Sequence, residues 1–245
     1  MYDTNPSKLS SLPEIRRSDL CDAPAPDGVP ARRCGDWMVP IRSLGPNHRQ
    51  RIAAHLKALS PNDRYYRFGY VVNDEQIDRY VAALDFERDE IFGIYNRHLQ
   101  LIAVAHLAYA PAEDLHGSAE FGVSVLGRVR GRGFGQRLFE RAMMHAQNQG
   151  VALMHLHVLS ENAVMLKIAR RNGAVVENNG TDSQARLRLP LASLNSRVTE
   201  IVEQHMAEVN YQIKLGAWQF RQLLASQPET GQGVKRDEPA RDFAP

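Results

Sequence analysis

The chain predicts a mixed α/β (α+β) domain, and three observations carry that prediction. Two β-rich runs joined by Asn96-Arg97-His98 make a hairpin signal in the N-terminal half. From residue 119 onward, strand and helix patterns alternate as β–α–β–α–β. Between these regions, Arg130-Gly131-Arg132-Gly133-Phe134-Gly135 follows a strand pattern and opens a long amphipathic helix. Hairpins followed by crossovers argue one mixed sheet with helices on both faces.

Taken in order, residues 37–44 read as the first strand. Residues 47–59 are helical, with Ile52, Leu56 and Leu59 at helical spacing. Ser60 followed by Pro61 starts a short helix. Asn73 or Asp74 caps another that runs to Leu84. Residues 90–95 and 99–109 are the hairpin strands, and 119–126 form a third strand after the loop 111–117. The helix 133–149 ends at Gly150, a residue suited to the left-handed position after a helix. A strand over 151–159 leads to a helix over 161–171, stopped by Asn172-Gly173. Two strands follow at 174–177 and 184–189. Residues 191–226 form a last helix whose apolar stripe runs through Ile201, Val202, Met206, Val209, Ile213, Leu215, Trp218 and Leu223. That stripe is expected to pack on its own domain; the alternative is a homodimer contact.

Residues 1–34 and 227–245 have too little apolar surface to order themselves and read as flexible tails. A domain over 35–190 and a helical extension over 191–226 remain. With 245 residues, 43% hydrophobic content and a net charge of +2, the chain has material for a core and no charge excess for general nucleic-acid binding. Cys21 and Cys34, the two cysteines, make no metal-ligand pattern and fit a reducing compartment. No apolar run reaches the length of about 18 residues that a membrane helix needs. Asp3, Lys8, Glu14, Arg16 and Arg17 interrupt the first 20 residues, so no secretory signal is expected. A cytoplasmic protein without a membrane partner is the expectation.

The glycine-rich turn carries the chemistry. Its glycines suit positive φ and close approach to a ligand. The helix behind it offers unpaired N–H groups and a positive dipole end, which together make a phosphate site. A dinucleotide fold would place such a loop after the first strand, with an acidic ribose ligand about 20 residues on. In this chain the loop falls mid-sequence, and the strand 151–159 ends without Asp or Glu.

Arg130-x-x-Gly133-x-Gly135 after a strand resembles the acyl-CoA pyrophosphate loop of the GNAT N-acetyltransferase superfamily, a likeness that spans roughly residues 36–190. Asn162, Met165 and Gly173 match that superfamily's second CoA-contacting segment. Leu59-Ser60-Pro61, Arg64-Tyr65-Tyr66-Arg67-Phe68 and the helix 165–171 are similar to the bacterial Pat-like protein-lysine acetyltransferases. The resemblance implies a mostly antiparallel sheet splayed between two parallel strands, with acetyl-CoA bound in the gap and no metal. It assigns Val123, Ser124 and Val125 to the pantetheine arm, with the Val125 N–H polarising the thioester carbonyl. Gly131, Gly133, Phe134, Gly135 and Gln136 would hold the pyrophosphate through N–H groups. Arg130 and Arg132 either add charge there or are solvated. Asn162 and Met165 complete the cofactor contacts, Asn162 otherwise serving only its own helix.

The implied reaction moves an acetyl group to a primary amine, on a small molecule or a protein lysine, by direct attack in a ternary complex. Lysine has a pKa of about 10.4, so a base is needed. Glu120, at the start of the thioester-binding strand, is the candidate, with Glu113 and Asp114 behind it. The family's usual acidic tyrosine is Ala169 in this chain, which leaves Tyr65, Tyr66 and Tyr109 as donors. A non-catalytic acyl-CoA sensor is the alternative that this substitution supports. No cysteine follows Cys34, which argues against a covalent thiol intermediate. His155 and His157 share one face of their strand and are expected to line a cleft rather than bind metal.

Overall fold

The computed structural model describes residues 39–110, 117–180 and 182–225. Among the described residues seven strands form one sheet: β1 (Ile41–Ser43), β2 (Glu90–Tyr95), β3 (Leu101–Tyr109), β4 (Ser118–Val125), β5 (Leu153–Leu159), β6 (Val175–Asn179) and β7 (Asp182–Arg188). Their spatial order is β1-β2-β3-β4-β5-β7-β6. Neighbours are antiparallel except β4 and β5, which run parallel. The helices are α1 (Arg49–Lys57), α2 (Pro61–Phe68), α3 (Asp74–Ala82), α4 (Phe134–Asn148), α5 (Ala163–Arg171) and α6 (Leu194–Ala225). The expected tails, and the loop with Glu113 and Asp114, lie outside the described residues.

Local chemistry sets the boundaries. Ser60 caps α2 by accepting from the Asp63 N–H at 3.2 Å, and Asn73 caps α3 in a reciprocal pair with Gln76. The first helix is shorter than expected. A 3₁₀ turn, Pro46–His48, precedes α1, and the Gly45 N–H donates to His48 Nδ1 at 3.1 Å. The hairpin loop is longer than expected because Asn96 Oδ1 accepts from both His98 and Gln100 N–H groups. That pulls Leu99 to φ 58° and delays β3 to Leu101.

The sheet's two faces bury different helices. On one face, Ile52 and Leu56 of α1, with Ile77 and Val81 of α3, cover Ile91 and Val104. On the other, α4 buries Leu138, Phe139, Ala142 and Ala146, and the Phe121 and Phe139 rings meet edge to face at 5.1 Å. β4 is thereby fixed from both sides, which holds its free edge steady beside β5.

The apolar stripe of α6 is not the face that packs on the domain. Ile201, Val202, Met206, Val209, Ile213 and Trp218 are exposed. The docked face carries Ala207 and Tyr211, both buried, together with charged anchors. Glu200 accepts from His145 and from Asn148 Nδ2 (2.6 Å), and lies 3.3 Å from Arg141. Arg42 pairs with Glu208 at 2.9 Å and stacks over Tyr211 at 3.9 Å. Helical periodicity locates an apolar stripe but not its partner, and polar contacts chose the docked face.

Candidate active site

The site begins where β4 and β5 part. They pair only at Ser118–Leu153, Ala119–Met154 and Glu120–His155. β4 then continues to Val125 along β3, and β5 to Leu159 along β7. Each strand therefore keeps its outer neighbour and loses its inner one, which opens a gap with unpaired edges.

Register decides which groups face that gap. The Leu126 N–H donates to Ile102 O, and the Ala110 N–H donates to Ser118 O, so even-numbered residues of β4 bond to β3. The N–H and C=O groups of Phe121, Val123 and Val125 consequently point toward the gap. Val123 and Val125 lie beyond the last rung shared with β5. Ser124 is the exception. Its backbone faces β3, and its buried hydroxyl donates to His55 Nε2 at 2.9 Å. Burial lowers the His55 pKa to about 4, and Nδ1–H donates to the Leu101 carbonyl at 3.0 Å. Ser124 thus belongs to a buried pair that ties α1 to the sheet.

The glycine-rich loop delivers α4 to the mouth of the gap. Gly131 and Gly133 both take φ 76°, a conformation that costs an L-residue about 1–2 kcal/mol. Gly135 lies in the first turn of α4 with ordinary helical geometry, so its expected positive φ does not occur. A Cβ there would sit 3.5 Å from Ile168, which places Gly135 at the packing contact with α5. Among the described residues no side chain caps α4, and its first internal bond runs from the Arg137 N–H to Gly133 O. The Phe134, Gly135 and Gln136 N–H groups therefore have no partner within the helix. The Gln136 side chain bonds Glu140 at 2.7 Å, leaving its backbone to serve a ligand.

Arg130 is committed elsewhere: it forms an ion pair with the buried Asp63 of α2. It is a strut between the loop and α2, whereas Arg132 is exposed. On the opposite wall, Asn162 caps α5 by accepting from the Met165 N–H at 3.1 Å. Its side-chain oxygen thus serves its own helix. Tyr66, Arg67, Gly122, Val123, His157, Asn162 and Met165 line that cleft.

Glu120 stands at the last paired rung, exposed, on the sheet face that also carries His106, Gly122 and His155. The three tyrosines separate. Tyr66 lines the cleft, and Tyr65 does not. Tyr109 lies on the α4 face, where burial, Glu90 and Glu200 raise its pKa. Ala169 is fully buried, so α5 has no room there for a proton-donating ring. Among the described residues no three potential ligands group around a metal position.

Sequence reasoning missed a half-buried chain behind the cleft. Arg67 Nη2 donates to the Tyr80 hydroxyl (2.8 Å), Tyr80 donates to His106 Nδ1 (2.8 Å), and His106 Nε2 donates to Asp89 Oδ2 (3.0 Å). Burial and the nearby Arg67 hold His106 below the usual imidazole pKa, which keeps it neutral for this arrangement. Burial acts to raise the Asp89 pKa, but bonds from Arg88 and His106 bring it below the usual carboxylate value. No spacing rule joins residues 67, 80, 89 and 106; three separate elements and a loop bring them together.

Known proteins share this architecture. Over 61% of this chain and 89% of the other, the GNAT domain of S. lividans PAT superposes with a TM-score of 0.53 at 20% identity. A putative acetyltransferase from Acinetobacter baylyi ADP1 gives 0.51 at 16% identity, over 62% of this chain and 93% of its own. Ribosomal-protein-alanine N-acetyltransferase from Brucella melitensis gives 0.50 at 17% identity, over 61% and 99%. At such identities these likenesses speak to the fold. The family match is in the sequence itself, where residues 54–174 fit the model of the Acetyltransferase (GNAT) family. That segment contains the parted strands, the glycine loop and both cleft walls, so this chain carries an Acetyltransferase (GNAT) family domain.

Proposed function

We propose that the protein transfers an acetyl group from acetyl-CoA to a primary amine by direct attack in a ternary complex. The observation that carries this reading is the parting of β4 and β5 immediately after Glu120, beside the uncapped start of α4. The free backbone of Val123 and Val125, beyond the last paired rung, suits an extended amide-bearing arm. The Gly131–Gln136 backbone suits a pyrophosphate. Acetyl-CoA combines both features and supplies the acyl thioester.

Glu120 takes the proton from the incoming ammonium, directly or through one water. The Val125 N–H donates to the carbonyl oxygen as negative charge develops on it. The amine nitrogen bonds to the acyl carbon, the C–S bond breaks, and the thiol leaves as thiolate. A thiol pKa of about 8.5 makes that departure tolerable without an acid. Tyr66, which lines the cleft, returns a proton to the thiolate in this reading.

Glu120→Gln is expected to lower kcat by about 10²–10⁴-fold, the usual range for a general base. Acetyl-CoA should still raise the unfolding midpoint of the variant as it does that of the parent, while ATP and NAD should not. Full turnover in Glu120→Gln would remove Glu120 from the mechanism. Stabilisation by ATP or NAD in place of the CoA ligands would remove acetyl-CoA.

A further inference from the structure

We infer that Arg67 selects the acceptor, and that the acceptor is a small amine carrying a carboxylate. The inference rests on the acyl-transfer reading above and adds the substrate class.

Arg67 lies flat against the strand that holds the base. A Cβ at Gly122 would meet Arg67 Cζ and Nη1 at 2.8 Å and Nη2 at 3.0 Å, so this approach needs a glycine. The Asp89–His106–Tyr80 chain fixes the guanidinium. A guanidinium only donates and a carboxylate only accepts, so protons along the chain can point in just one direction. Tyr80 presents its oxygen to Arg67, and Arg88 Nε donates to Asp89 at 2.7 Å at the far end. Beyond Gly122 and the bond to the Tyr80 hydroxyl, Arg67 stands over two rings, Phe68 at 5.2 Å and Tyr80 at 5.6 Å. Among the described residues no carboxylate pairs with it. One edge of the guanidinium is held, and its other donors are left at the cleft.

A planar cation fixed in this way is built to receive a carboxylate through two parallel bonds. Glu120 and Gly122 are two residues apart on one face of β4, a separation of about 7 Å. An amine at Glu120 and an anion at Arg67 must therefore share a short spacer, as in a small amino acid. A polyamine would instead bring a second cation against Arg67.

The test compares glycine and β-alanine with glycinamide, β-alaninamide and spermidine, using acetyl-CoA. Each amide has the less basic amine and so the larger reactive fraction, which makes a preference for the acids a demanding result. For each acid, kcat/KM should exceed that of its amide by about 10–100-fold, the range for one charged hydrogen-bond pair. Arg67→Gln should abolish the preference mainly through KM, and Arg67→Lys should restore part of it. Gly122→Ala, which displaces the guanidinium, should behave like Arg67→Gln. Retained acetyl-CoA stabilisation shows that each variant is folded. Amides turned over as fast as acids, or an acid preference that survives Arg67→Gln, overturns the inference. Acetyl-CoA binding with no carboxylated amine acetylated overturns the inference alone. Failure to bind acetyl-CoA overturns the acyl-transfer reading beneath it.

Discussion

At the scale of single residues, the site is framed by groups whose protonation the fold holds fixed. His55 is the strongest case. Its neutral ring donates through Nδ1 and accepts through Nε2, which one proton on the imidazole allows and two do not. Unfolded, the ring titrates near 6.5; folded, burial lowers that to about 4. Above pH 6.5 neither state takes up a proton, and stability is unaffected. Below it the unfolded chain binds a proton that the folded chain refuses. Stability is therefore expected to fall by about 1.4 kcal/mol per pH unit between 6.5 and 4. Urea titrations across that range measure the slope, and His55→Gln should reduce it. A pH-independent midpoint in the parent would show that His55 is protonated in place. Asn162 illustrates a different residue-scale point: the helix-cap and ligand readings of the sequence are compatible, because the amide oxygen serves the cap while the residue also lines the cleft.

At the scale of elements, polar anchors place what apolar patterns only outline. The run from Gly131 to Gly133 fits one left-handed turn, and α4 follows from it with little freedom. Arg130 then ties that loop to Asp63 in α2. α6 is held to α4 mainly by Glu200, which faces Arg141, His145 and Asn148. Arg141 is buried at 3% exposure, so removing its carboxylate would strand a charge. Glu200→Ala is expected to cost about 3 kcal/mol, lowering the unfolding midpoint by roughly 6–12 °C for a chain of this size. Proteolysis should then cut ahead of α6 sooner than in the parent. An unchanged midpoint and an unchanged cleavage pattern would mean that Glu208 and Tyr211 suffice to dock the helix.

At the scale of the whole molecule, α6 leaves an apolar seam turned outward. Val202, Met206, Val209 and Ile213 follow one another at spacings of four, three and four, all exposed. Heptad spacing lets two such helices interlock. An uncharged seam is complementary to itself, which makes a second copy of the chain its expected occupant. Sedimentation equilibrium at micromolar concentration should show a dimer, and Met206→Glu combined with Ile213→Glu should give a monomer that still binds acetyl-CoA. A parent chain that stays monomeric under the same conditions would leave the seam unpaired.

Much of this architecture is local in origin and so was readable from the chain alone. The hairpin, the alternating strands and helices, the caps at Ser60 and Asn73, and the glycine turn each depend on residues within a few positions of one another. That Glu120, Val123, Val125 and the start of α4 lie near one another was legible for the same reason, since one strand and one turn carry them all. Tertiary structure alone decided the rest. It turned Ser124 away from the gap, paired Arg130 with Asp63 across 67 positions, set the docked face of α6, and assembled Arg67, Tyr80, His106 and Asp89. Hydrogen bonds and ion pairs between distant segments leave no periodic trace, because their partners are chosen by where packed elements come to rest.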